Sequence, residues 1–162
     1  MRQRTSPHFA LLAIVVGDGK GCAPRMQPTV DSFREAHLRL LERLDQADAV
    51  LQSPENLVAL LRTMRDLVLE HFRAKDEFYP ALTSFLTARG DLAGAQLARI
   101  FEQNMKVQSA AVQRFFESLG RAQNQQIADG YRTVALVMRQ RFSTEEKAVF
   151  PLTVKKEPRV KK

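Results

Sequence analysis

The sequence predicts an all-α fold, an antiparallel up-down four-helix bundle. Three observations lead to it. Four stretches, each of about 20 residues, repeat their apolar residues at steps of three and four. The breaks between them are short and polar and carry helix start and stop residues. Period-two alternation is never sustained, and no hairpin built on Asn-Gly or Asp-Gly joins two such runs.

The first helix is expected from about Thr29 to Ala49, with Phe33, Leu40, Leu41 and Leu44 on its inner face. The second opens at Ser53-Pro54-Glu55, a cap residue, a proline at the first helical position and an acid in the first turn. Its stripe is Leu57, Leu60, Leu61, Met64 and Val68, and it is expected to end near Pro80. The third follows Arg89-Gly90-Asp91, a stop glycine and a cap, with Leu97, Phe101, Ala111 and Phe115 inward. The fourth runs from about Gln125 to Phe150, with Ile127, Tyr131, Val134 and Met138 inward, and is expected to stop at Pro151. Amphipathic helices of this length with short connections pack as an antiparallel bundle.

The chain has 162 residues, one domain's worth, of which 44% are hydrophobic and 27% charged. Its 25 basic against 18 acidic residues give +7, which taken whole points to a polyanion partner. The charge sits at the ends. Residues 1–25 carry four basic residues against one acid, and 155–162 carry five against one. The segment 26–154 is balanced at 16 of each, so it offers no basic recognition face and specific nucleic-acid binding is not expected. The expected division is therefore an N-terminal tail over 1–25, the bundle over 26–154 and a basic C-terminal tail over 155–162.

Cys22 is the only cysteine, which rules out an intramolecular disulfide framework and a cysteine zinc cage and is compatible with a reducing cytoplasm. No apolar run approaches the roughly 18–20 residues of a membrane-spanning helix. Phe9–Val16 behind Arg2 and Arg4 has the layout of an export signal, but Asp18 and Lys20 stand where small cleavage residues belong. A flexible tail, or translation from Met26 instead, is the expectation for 1–25.

Each apolar stripe, continued at its own spacing, meets polar residues. The first passes from Phe33 to His37 and Leu40; the second from Val68 to His71 and Lys75. The third passes through Asn104 and Gln108, and the fourth from Met138 to Arg141 and Glu145. Burying such groups costs several kcal/mol each unless they are paired. In a bundle they imply a cofactor, a metal or a satisfied network. Taken singly, His37 and His71 read first as hydrogen-bonded core histidines, and Lys75 and Arg141 also as side chains at stripe edges reaching out to water. The second and fourth helices also end alike, in His71-Phe72-x-x-Lys75-Asp76 with Tyr79-Pro80, and in Arg141-Phe142-x-x-Glu145-Glu146 with Phe150-Pro151, the latter one residue longer.

On these residues the chain resembles the hemerythrin-like, or HHE cation-binding, domains over about residues 29–152. The resemblance implies a His on the first helix, His-x-x-x-Glu on the second, His residues on the third and His-x-x-x-Glu on the fourth. His37, His71 and Glu145 match. Lys75, Asn104, Gln108 and Arg141 stand where the family has ligands. A di-iron centre takes about five to seven N and O donors, and three remain, beside two cations that would repel a divalent ion. The expectation is no complete iron centre. One weakly held metal ion at His37, His71 and Glu145 is the alternative. A third reading has Lys75 and Arg141 supply the positive charge themselves, with Glu145 as counterion and Glu102 and Asp76 as further candidates.

The leading functional expectation is a non-catalytic regulatory or protein-interaction module. A metal sensor or store using the residual ligands is the first alternative. The second comes from a fainter resemblance to bacterial regulator-of-sigma-D anti-sigma proteins, carried by Val30-Asp31-x-Phe33, His71-Phe72, Glu102-x-Asn104 and Arg141-Phe142-x-x-Glu145-Glu146-Lys147. It implies the primary sigma factor as partner. An enzyme is not expected, because no nucleophile is paired with His37, His71 or Glu145.

Overall fold

A computed structural model of the chain describes residues 27–154. The tail readings for 1–25 and 155–162, with Cys22 and Phe9–Val16, lie outside the described residues. Four helices follow in order: α1 (Gln27–Ala49), α2 (Pro54–Ala88), α3 (Leu92–Ser118) and α4 (Asn124–Thr144). Beyond α4 the chain continues through a π-turn, Glu145–Val149, and a 3-10 turn, Phe150–Thr153. They form the all-α four-helix bundle, and no strand occurs among the described residues.

The breaks carry the chemistry that their residues require. Ser53 takes the N-cap position of α2 with Pro54 behind it, although its hydroxyl makes no capping bond. Gly90, at φ 75°, ends α2 in the left-handed region, where residues with a Cβ are strained. Its N–H bonds the Thr87 carbonyl and the Asp91 N–H that of Leu86. Asp91 then caps α3, accepting from the Gly94 N–H at 2.9 Å.

Two helix ends differ from the expectation. α2 runs through Pro80 to Ala88. Pro80 removes one backbone donor, but it stands on an exposed side of the helix and away from the core. Buried Phe78, Tyr79, Leu82 and Leu86 hold the helix to the core on both sides of it. On the fourth helix, the residue by which its ending exceeds that of α2 is absorbed in the π-turn, where the Phe150 N–H bonds the Glu145 carbonyl. Pro151 lies within the 3-10 turn that follows.

α3 is turned by one residue from its expected face. Its buried positions are Gly94, Ala95, Ala98, Met105, Val112 and Phe116. Leu97, Phe101 and Phe115 flank them, and Ala111 is exposed. Adjacent apolar pairs (Leu97/Ala98, Ala111/Val112, Phe115/Phe116) make the stripe two residues wide, so periodicity alone leaves its centre open. Packing buries the edge with Ala98, Met105, Val112 and Phe116, which faces α2, the main neighbour of α3. Consequently Asn104, expected in the centre, is exposed, and Gln108 is half-buried with its Oε1 lacking a partner.

Candidate functional site

The polar residues predicted on the inner faces of α1, α2 and α4 do converge, in one buried cluster around Glu145. Its Oε2 accepts from the Lys75 Nζ at 2.9 Å. Its Oε1 accepts from the Arg141 Nε at 3.0 Å and from the Tyr79 hydroxyl at 2.5 Å. Arg141 donates further, through Nη2, to the Tyr79 oxygen at 2.8 Å and to the Phe101 carbonyl at 2.9 Å. That carbonyl is what α3 contributes in place of Asn104 or Gln108. Lys75 and Glu145 have no exposed surface, so Lys75 does not reach out to water.

Aromatic rings complete the enclosure. The Lys75 ammonium lies 3.8 Å from the Phe33 ring centre and 4.5 Å from that of Phe150. A cation against ring faces gains electrostatic attraction where water is excluded. Phe150 reaches this position because the π- and 3-10 turns carry the chain end back over the cluster, where it stacks on Phe33 with 6.3 Å between ring centres.

The two histidines sit side by side with ring centres 5.1 Å apart. His37 stacks on Phe142 at 4.2 Å, and its Nδ1 lies 3.0 Å from Glu146 Oε1. Glu146 in turn accepts from the Arg34 Nε at 3.1 Å. The other nitrogen of His37, Nε2, is 3.2 Å from Glu145 Oε2 but outside hydrogen-bond geometry. His71 Nε2 is likewise buried without a partner.

Burial and charge decide the protonation of this cluster. Burial by itself would raise the Glu145 carboxyl, but the Lys75 ammonium, the adjacent His37 and the Arg141 guanidinium outweigh it and hold the group well below the usual carboxylate range. For Lys75 the balance runs the other way: burial outweighs the pull of Glu145 and brings its pKa down to about 8, still above neutrality. Burial, then the charge of Lys75, pushes His71 well below its ordinary value, so its ring is neutral at pH 7. Burial and the Glu145 charge raise the Tyr79 phenol, which therefore stays a donor.

Tyr79 and Glu146 were not among the sequence candidates. Tyr79 continues the spacing His71, Lys75, Tyr79 in steps of four, a signal hidden by reading Tyr79-Pro80 as a helix stop. Glu146 follows Glu145 directly; only the placement of α1 brings His37 between the two carboxylates. Glu102 and Asp76 are not counterions of the cluster: Glu102 pairs with Lys106 on the surface, and Asp76 is exposed.

The donor set can be compared with metal chemistry directly. The ligand atoms of His37, His71 and Glu145 lie within 4.8 Å of one another, all buried. His37 Nε2 and Glu145 Oε2, at 3.2 Å, stand at about the separation that two ligands of one ion take with bonds near 2.1 Å. Two imidazoles and one carboxylate do not make a two-iron centre, which needs further carboxylates where Lys75 and Arg141 now stand. The residues present do not fit that group.

No curated protein and no solved structure matches the chain. A family model does: the hemerythrin HHE cation-binding domain matches residues 29–153, which includes α2, α3, α4 and all of the buried cluster. The bundle with its partial His/Glu cluster and this match agree, and the chain belongs to the hemerythrin HHE cation-binding domain family.

Proposed function

We propose that this protein is a non-catalytic member of its family, a protein-interaction module whose bundle is held by its own charges instead of a di-iron centre. The observation that carries the reading is the Lys75 ammonium, buried on Glu145 at 2.9 Å with Arg141 on the other oxygen of the same carboxylate. Two cations on one carboxylate leave little to attract a pair of divalent ions. The acid–base groups of the cluster are buried as well, which supports a non-enzymatic role because a substrate would have to reach them through the core.

An interaction role is supported by α3. Leu92, Ile100 and Val107 are exposed along its outward side at steps of eight and seven, with Arg99 and Arg114 on the same side. Such a face suits an amphipathic helix of another protein with acidic residues beside its apolar stripe. A partner whose binding survives Ile100→Asp combined with Val107→Asp would move the interface off α3. Metal content of the purified protein, read together with its optical spectrum, tests the metal-free reading; stoichiometric iron would overturn it.

A single-ion sensor is the second reading, favoured by the two buried Nε2 atoms without partners.

A further inference from the structure

We infer that Lys75 masks a latent single-ion site formed by His37, His71 and Glu145, so that neutralising this one side chain turns the bundle into a binder of one divalent cation. The inference rests on the metal-free reading and adds that the three donors remain arranged for an ion which the ammonium keeps out.

Contacts that do not involve Lys75 hold each donor. His37 presents Nε2 inward because its Nδ1 faces Glu146 Oε1 at 3.0 Å and its ring stacks on Phe142. A carboxylate behind an imidazole is the arrangement that orients a metal-bound histidine. The His71 ring packs edge-on against Phe33 at 5.7 Å and Phe142 at 5.5 Å, with its Nε2 buried and unpartnered. Arg141 and Tyr79 both engage Oε1 of Glu145. Oε2 is the oxygen left over, and it faces the His37 Nε2 and the Lys75 Nζ.

The Lys75 ammonium thus holds the one carboxylate oxygen that the two imidazoles could share with an ion. It both occupies that oxygen and repels a second cation. Two imidazoles and a carboxylate select borderline divalent ions such as Co(II), Zn(II) and Fe(II) over Mg(II) and Ca(II), which prefer all-oxygen sites.

The test is a Co(II) titration of the full chain followed by visible absorption, for the wild type, Lys75→Met and Lys75→Met with His71→Phe. Lys75→Met should take up one equivalent about 10- to 100-fold more tightly than the wild type, the range over which a neighbouring group tunes metal affinity. The added His71→Phe should abolish the band. Far-UV circular dichroism shows whether each variant is folded, and Lys75→Gln replaces Lys75→Met if the latter is not. A folded neutral variant that binds Co(II) no better than the wild type overturns the masking, as does a wild type that binds it as tightly. Stoichiometric iron in the wild type as purified would instead overturn the metal-free reading itself.

Discussion

The Lys75 ammonium lies 2.9 Å from Oε2 of Glu145, and neither side chain has exposed surface. Arg141 holds the other oxygen, so two buried cations share a single carboxylate. This imbalance makes the two partners unequal under mutation.

Glu145→Gln leaves the buried Lys75 and Arg141 without the carboxylate that they share. Removing one partner of a buried ion pair costs about 3–5 kcal/mol, and the loss should appear as a lower urea midpoint. Lys75→Met instead leaves one carboxylate and one guanidinium, a balanced pair, and should cost less than half as much. Equal losses from the two would show that the Arg141 contact contributes little.

Acid should unfold the protein in two stages. His71 is neutral when folded because its pKa lies well below the ordinary 6.5, so the unfolded chain binds the extra proton and stability falls as pH drops below about 6.5. Glu145 has a folded pKa below its ordinary 4.5, so its stabilisation is present above that value and is lost as pH falls further. Urea midpoints measured between pH 7.5 and 3.5, a span of about four units around these values, should decline gently and then steeply. His71→Phe should remove the first decline and leave the second.

A second clamp between α1 and α4 lies outside this cluster. The buried Tyr131 hydroxyl has two acceptors in reach, the Leu44 carbonyl at 2.6 Å and Asp48 Oδ1 at 2.7 Å. Asp48 also pairs with Arg139 at 2.8 Å. Tyr131→Phe should cost about 1–2 kcal/mol, the loss of one buried hydrogen bond, with no change in Co(II) binding by Lys75→Met, because it touches none of the three donors.

Gly90→Ala should cost about 1 kcal/mol, since its backbone at φ 75° is strained for any residue with a Cβ. The space around it is open, so the effect should come from the backbone alone, and a thermal melt would read it. An unchanged melting temperature would mean that the α2–α3 turn relaxes freely.

The existence of all four helices was legible in the sequence, as were the ends marked by caps and the stop glycine. His37, His71, Lys75, Arg141 and Glu145 were legible as a group because each continues its helix's apolar spacing, at steps of three and four, on the face that packing buries. α3 was not, since its paired apolar residues allow two faces, and Asn104 belonged to the one that packing rejected. Pro80 and Pro151 both read as helix stops, yet an exposed proline flanked by buried side chains leaves α2 continuous. The extra residue before Pro151 becomes a π-turn.

The sequence by itself determined the fold class and which side chains had to be buried, because periodicity along one chain decides which residues share a face. Only the tertiary structure decided what those side chains do to one another. That Glu145 is shared by Lys75 and Arg141, that Tyr79 bridges them and that His37 lies between two carboxylates depend on distances between helices 60 to 110 residues apart in the chain. Electrostatics in a dry core varies steeply over such distances, so the same residues shifted by one helical turn could hold an ion or exclude it.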